Sequence, residues 1–253
     1  MNTKSNIEKI VERVLQRTPV ELNQVTHTYA VISTPRCGSS MFVDKLKSCG
    51  KMGNPLEWFN NRFIRAYRNV TGMQQVDFGA YLTEIIRHTA SESGVFGVNF
   101  HVDQYFALRK RSFDVFAFLK FDKIYEVKRQ NKLAQAVSLS KARLTDVWSS
   151  TIDMTPEDLE IVDKIPISAV LQELHLLAKW VELFDKYFAP HVDRTFIYEE
   201  VVKDKSGKCF LSILEDFGQC ADGCSSFETK LKKQSGRKDE KRIKELEHFI
   251  HGT

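Results

Sequence analysis

The sequence predicts an α/β fold, a three-layer arrangement in which helices flank both faces of a parallel sheet, and three observations carry that prediction. Four short β-rich, apolar segments, at residues 26–34, 94–100, 123–129 and 194–200, are separated by stretches of helical periodicity. Parallel neighbours need long crossover connections, and the crossing helices cover the sheet. With 253 residues, 42% of them hydrophobic and 11% aromatic, the chain has the apolar material for one sizeable core. No internal repeat or linker divides it, so residues 1–253 read as a single domain.

The elements follow in order. Ile7, Ile10, Val11, Val14 and Leu15 recur at helical spacing, with Glu8 and Glu12 among them, so residues 1–25 read as an N-terminal amphipathic helix and not as a targeting peptide. Thr26 to Thr34 reads as a buried strand stopped by Pro35 and Gly38. Ser39 or Ser40 is expected to cap the next helix, which lines one side with Met41, Phe42, Leu46 and Cys49. The strand GVFGVNF (94–100) begins a phenylalanine-rich stretch; Phe96, Phe100, Phe106, Phe113, Phe116, Phe118 and Phe121 are expected in the core, as is Phe59. KIYEVKR (123–129) is the third strand. Thr155 before Pro156, Glu157 and Asp158 marks a helix start, Ile167 to Phe188 a long amphipathic helix, and RTFIYEE (194–200) the last strand.

Composition excludes several function classes. No stretch reaches the roughly 20 apolar residues of a membrane-spanning helix. The net charge of +4 is mild for a protein that coats nucleic acid, so none is expected as a partner. Basic residues concentrate late, in a segment from 230 to 250, where Lys230, Lys232, Lys233, Arg237, Lys238, Lys241, Arg242 and Lys244 face only Asp239 and Glu240. That segment is either a solvated helix face or an anion-binding element. Cys37, Cys49, Cys209, Cys220 and Cys224 lack the paired spacing of a zinc site, so free thiols in a reducing cytoplasm, and no metal, are expected.

The segment STPRCGSS (33–40) joins the first strand to a helix, and small residues there let backbone N–H groups close around an anion at the positive end of that helix. It is not a Walker A loop, because the lysine that would follow its second glycine is absent and Arg36 stands earlier. A second strand-to-helix unit, KIYEVKRQNKLAQAVSLSKA, places Arg129 at a strand end and Ser138 nine residues on.

Together these two units resemble the sulfotransferases that use 3′-phosphoadenylyl sulfate (PAPS), in particular the bacterial trehalose sulfotransferase type, which includes nodulation-type and lipopolysaccharide sulfotransferases. GNPLEWF (53–59), GVFGVNF, LTDVW (144–148) and KKQSGRK (232–238) are similar to further landmarks of that family, so the likeness runs from about residue 28 to about residue 250. The resemblance implies a P-loop-like sulfotransferase fold. It also implies that Pro35, Arg36, Cys37, Gly38, Ser39 and Ser40 hold the 5′-phosphosulfate, that Arg129 and Ser138 hold the 3′-phosphate, and that Lys233, Arg237 and Lys238 close over the nucleotide. Cys37 stands where the family usually has serine, and Asn99 where it has lysine.

Sulfuryl transfer needs in-line positioning, charge stabilisation on the leaving phosphate and a base for the acceptor hydroxyl. Arg36 suits the charge role, since its fork stays protonated and can bridge oxygens on both sides of the breaking bond. PAPS carries an activated sulfate already, so no metal is required, and adenosine 3′,5′-bisphosphate is the product. Two residues compete as base. Glu57 matches the glutamate that takes the proton in the trehalose type, and His101 resembles the histidine base of the eukaryotic cytosolic sulfotransferases. Glu57 ranks first, and a shared role in which one orients the other is open. Trp58, Arg62 and Trp148 are candidates to line the acceptor pocket.

The sequence thus points to an enzyme moving a sulfuryl group to a hydroxyl of a carbohydrate or other small-molecule acceptor in the cytoplasm, as a monomer or a homodimer. A P-loop kinase or hydrolase and a nucleotide- or polyanion-binding module are the alternatives.

Overall fold

The computed structural model describes residues 4–149, 151–220, 222, 224, 227–231 and 237–251, with no side-chain description for 237, 238, 241, 250 and 251. The chain runs α1 (Asn6–Leu15), β1 (His27–Ser33), α2 (Ser39–Ser48), α3 (Asn61–Thr71), α4 (Phe78–Thr89), β2 (Val95–His101), α5 (Val102–Arg109), α6 (Val115–Phe118), β3 (Lys123–Lys128), α7 (Lys132–Thr145), α8 (Pro156–Asp163), α9 (Ile167–Tyr187), β4 (Arg194–Ile197), α10 (Tyr198–Lys203), α11 (Lys208–Asp216) and α12 (Arg237–His251). The four strands form one parallel sheet in the order β2-β1-β3-β4.

Burial on both faces explains why the strands read as continuous apolar runs. Along β1, Ala30 and Ile32 face a core shared with α1, α3, α4, α5 and α9, while Tyr29 and Val31 face a second core made with α2 and α11. Period-2 alternation thus feeds two helix layers from one strand. Gly97 of β2 is required by that packing, because a Cβ there would lie 2.2 Å from the Tyr29 ring. A third cluster joins α7, α9 and α12 through Ala136, Val137, Leu139, Leu177 and Leu246.

Several expectations are corrected. The N-terminal helix does not fill residues 1–25; it stops at Leu15, and a short 3₁₀ turn (Leu22–Gln24) precedes β1. Gly38, not Ser39 or Ser40, is the N-cap of α2, because its left-handed backbone turns the chain into the helix. The last strand ends at Ile197 and Tyr198 starts α10. There the Glu199 carboxylate accepts from the backbone N–H groups of Gln130 and Asn131, both at 3.1 Å, which ties α10 to the start of α7. Phe118 is exposed, and the other six phenylalanines between 96 and 121 are buried in or packed against the first core. Within the basic C-terminal segment, Arg242 donates to the carbonyl oxygens of Val162 and Ile165, and Lys141 pairs with the buried Asp239 at 3.0 Å, so these charges bind α12 to its neighbours. Lys233 lies outside the described residues, as do the side chains of Arg237 and Lys238.

Candidate active site

The chain leaves β1 toward β2 and leaves β3 toward β4, on opposite sides, so the strand order, not the strand direction, reverses between β1 and β3. Open α/β sheets bind ligands in the crevice at the carboxyl ends of such strands. Residues 34–38 and Arg129 lie there, and β2 delivers His101 beside them, in register with Ser33.

The 34–38 loop is held in shape by its neighbours. Gly38 takes φ +99°, and a Cβ there would lie 2.1 Å from the Tyr198 ring. Arg36 takes φ +63°, uncommon for a residue with a side chain and a place where strain accumulates at functional sites. Gln135 of α7 anchors the loop from the side, donating through Nε2 to Thr34 Oγ1 at 2.9 Å and to the Pro35 carbonyl at 2.7 Å. The Arg36 side chain reaches the other way, from Nε to Ser138 Oγ at 3.0 Å and from Nη1 to the Trp148 carbonyl at 2.6 Å. Burial lowers the Arg36 pKa from its very high ordinary value, against the nearby Glu57, which raises it.

Arg129 stacks over the Tyr198 ring at 5.2 Å and donates through Nη1 to the Arg36 carbonyl at 3.3 Å. Its Nε is buried and has no partner among the described residues, a donor ready for an anion's oxygen. The start of α2 adds backbone N–H groups with no side-chain cap. This donor set fits a phosphate- or sulfate-bearing ligand. Cys37 is fully buried, and burial pushes its thiol pKa up, so it contributes a neutral side chain.

A carboxylate cluster faces this loop. Glu57 Oε2 accepts from Asn60 Nδ2 at 2.9 Å and from Gln104 Nε2 at 2.7 Å, and Oε1 lies 3.5 Å from His101 Nε2. Burial would raise the Glu57 pKa, but His101 and the two amide donors outweigh it and hold the carboxyl at about 2. His101 shows the mirror effect: burial lowers its pKa, and Glu57 more than compensates, raising it. Each member of the pair thus favours the charged form of the other. The second imidazole nitrogen, Nδ1, lies 2.8 Å from Ser33 Oγ. Asn99, two residues before His101 on β2, is 1% exposed, and neither polar atom of its amide has a partner among the described residues.

Of the residues expected to line an acceptor pocket, Trp58 does not. It is fully buried in the core, its indole N–H bonded to the Asn54 carbonyl at 2.9 Å. Trp148 lies beside Arg36, whose Nη1 its carbonyl meets, and Arg62 lies beside Trp148. The Arg62 guanidinium pairs with Asp146 and lies 5.4 Å from the Trp148 ring centre, and Trp148 Nε1 donates to Asp146 at 2.8 Å. Sequence reasoning missed Gln135, Tyr198, Asn60, Gln104 and Ser33. The last three sit at short spacing from Glu57, His101 and the loop, a local signal open to inspection. Tyr198 and Gln135 are brought in only by tertiary packing.

The model of the Stf0 sulphotransferase family matches residues 28–246. No curated protein matches the chain. Among solved structures, the sulfotransferase domain of the Synechococcus PCC 7002 olefin synthase is similar over 98% of each chain, at 12% sequence identity and a TM-score of 0.38. Among the described residues no cluster of His, Cys, Asp and Glu could hold a metal, and no helix is long and apolar enough to cross a membrane.

Proposed function

Because this chain belongs to the Stf0 sulfotransferases, we propose that it transfers the sulfuryl group of PAPS to a hydroxyl of a carbohydrate or other small-molecule acceptor, in the cytoplasm and without a metal. The supporting observation is the meeting of an anion-ready loop with a preorganised carboxylate at the carboxyl ends of β1 to β3. When bound, PAPS supplies an activated sulfate, and its transfer leaves adenosine 3′,5′-bisphosphate.

In this reading the chain's own groups divide the work. The Pro35 to Ser40 loop and Arg36 hold the phosphosulfate, and Arg36 offsets the negative charge that grows on the departing phosphate oxygen. Arg129 and Ser138 hold the 3′-phosphate. Glu57 takes the acceptor's proton through Oε1. His101 serves it poorly as a rival, since Nδ1 faces Ser33 and Nε2 faces Glu57, so both nitrogens are occupied. Its positive charge instead keeps Glu57 ionised and oriented. A carboxylate held at about pKa 2 is a weak base. It suffices where bond breaking to the leaving group runs ahead of bond formation, because the acceptor hydroxyl turns acidic as its oxygen joins sulfur.

Transfer of labelled sulfate from PAPS to a panel of sugars, lipids and phenols tests the reading. Label should reach an acceptor with the native chain, and Glu57→Gln should slow transfer by a factor on the order of 10² to 10⁴. Undiminished transfer by Glu57→Gln would remove Glu57 as base, and no transfer to any panel member would count against the activity.

A further inference from the structure

Glu57 is aimed in part by His101, and the distances show what aims His101 in turn. The contact between Glu57 Oε1 and His101 Nε2 is 3.5 Å, at the outer limit of a hydrogen bond, whereas His101 Nδ1 lies 2.8 Å from Ser33 Oγ, well inside it. An imidazole swivels about a broad, roughly two-fold torsion, so the shorter bond decides where the ring points. The longer contact to Glu57 then depends on it.

The fold holds Ser33 in place for this. It ends β1 and pairs across the parallel ladder with His101, which ends β2, so both side chains leave the same face of the sheet. Ser33 is 1% exposed and His101 7%, which keeps water from competing for their bond. Gln104 fixes the histidine at its backbone: Oε1 accepts from the His101 N–H at 3.3 Å, and Nε2 donates to Glu57 Oε2 at 2.7 Å. With that N–H and Oε2 both held, rotation of the imidazole is the freedom left, and Ser33 removes it. A hydroxyl both donates and accepts, so it satisfies Nδ1 in either charge state of the ring.

We infer that Ser33 is a positioning residue for the transfer reaction: it fixes the imidazole plane of His101 and, through it, the carboxylate of Glu57, without itself touching donor or acceptor. This rests on the reading of Glu57 as base for its catalytic part and on the geometry of Ser33, His101 and Glu57 for the rest. The bond made by one ring nitrogen sets the form of the other, so the hydroxyl at Nδ1 leaves the Nε2 proton for Glu57. Burial lowers the His101 pKa, Glu57 and Asp103 raise it, and Arg36 lowers it. Ser33 carries no charge, so its removal acts on the ring through the lost bond and not through a changed field.

Nitrogen NMR of the full chain with labelled histidine tests this with neither donor nor acceptor present. Among the seven histidines, the signal lost in His101→Asn identifies the ring. Ser33→Ala deprives the imidazolium of a charge-assisted bond and the neutral ring of a weaker one, so His101 should titrate about one pH unit lower than in the native chain. Ser33→Thr keeps the hydroxyl and should titrate as the native chain does. In transfer assays with an acceptor from the panel, Ser33→Ala should lower kcat about tenfold at unchanged bisphosphate affinity, and should slow Glu57→Gln no further. An unmoved His101 titration in Ser33→Ala, an equal shift in Ser33→Thr, or equal slowing of the native and Glu57→Gln chains would each overturn the inference. No transfer by the native chain to any acceptor, with the His101 shift and its rescue intact, would overturn the sulfuryl-transfer reading and leave Ser33 as the residue that positions the pair.

Discussion

Arg36 Nε donates to Ser138 Oγ at 3.0 Å, joining two residues that the sequence resemblance assigns to opposite ends of the nucleotide. Under the proposed function this bond links the two phosphate sites, with Ser138 of α7 and the Trp148 carbonyl together aiming the Arg36 guanidinium. Ser138→Ala should remove one of the bonds that hold Arg36 and lower the affinity for adenosine 3′,5′-bisphosphate by about 0.5 to 1.5 kcal/mol, the net worth of one hydrogen bond. Titration measures this, and an unchanged melting temperature separates it from unfolding.

Arg129 supplies a buried Nε with no partner among the described residues and leans on the Tyr198 ring. Arg129→Ala should weaken bisphosphate binding by about 1.5 to 3 kcal/mol, the range for a charge-assisted bond, and leave folding nearly unchanged. A collapse in stability with affinity intact would make Arg129 a structural residue.

Gly38→Ala meets two obstacles, a left-handed backbone and the Tyr198 ring. The backbone part alone costs about 1 to 2 kcal/mol, so the variant should melt lower and bind nucleotide poorly. Adding Tyr198→Ala should recover the part due to overlap, a non-additive pair in a double-mutant cycle of melting temperatures. Strict additivity would contradict the contact.

The Glu57 and His101 pair makes stability depend on pH from both sides. Glu57 drops from an ordinary 4.5 to about 2, so its contribution is complete above about 4.5 and is lost as pH falls toward 2. His101 is raised above its ordinary 6.5, so its contribution is complete below about 6.5 and is lost as pH climbs through the raised value. The difference in melting temperature between the native chain and Glu57→Gln should therefore peak between about pH 4.5 and 6.5 and shrink on either side. A flat difference would show that the pair carries no such coupling.

The sheet was legible because β1 and β2 are buried on two faces and so stand out as short apolar runs, Tyr29 to Ile32 and Val95 to Phe100, while β4 buries only Phe196. Strand ends were less so. Nothing local distinguishes Ile197 from Tyr198; the change to helix follows from Glu199 reaching the backbone of Gln130, 69 positions away. The 35–40 loop and Arg129 could be picked out from glycine, serine and arginine at strand ends, and Glu57 and His101 could be named without revealing that they form one pair. Trp58 was misjudged because an aromatic beside a catalytic candidate looks the same in sequence whether it faces a cleft or the core. Gln135 carries no sequence mark at all; its meaning comes from its bond to the Thr34 hydroxyl.

The most direct test of a two-phosphate donor site between β1 and β3 is calorimetric titration of the native chain with adenosine 3′,5′-bisphosphate, AMP and ATP, which needs no knowledge of the acceptor. A ligand that binds only the folded state also raises its melting temperature, so a thermal scan checks the same ranking independently. The bisphosphate alone presents one phosphate to the loop and Arg36 and another to Arg129 and Ser138. It should bind at least about tenfold tighter than AMP or ATP, the worth of one charge-assisted contact. Equal affinity for AMP would contradict the 3′-phosphate site, and a preference for ATP would contradict the sulfuryl-donor assignment itself.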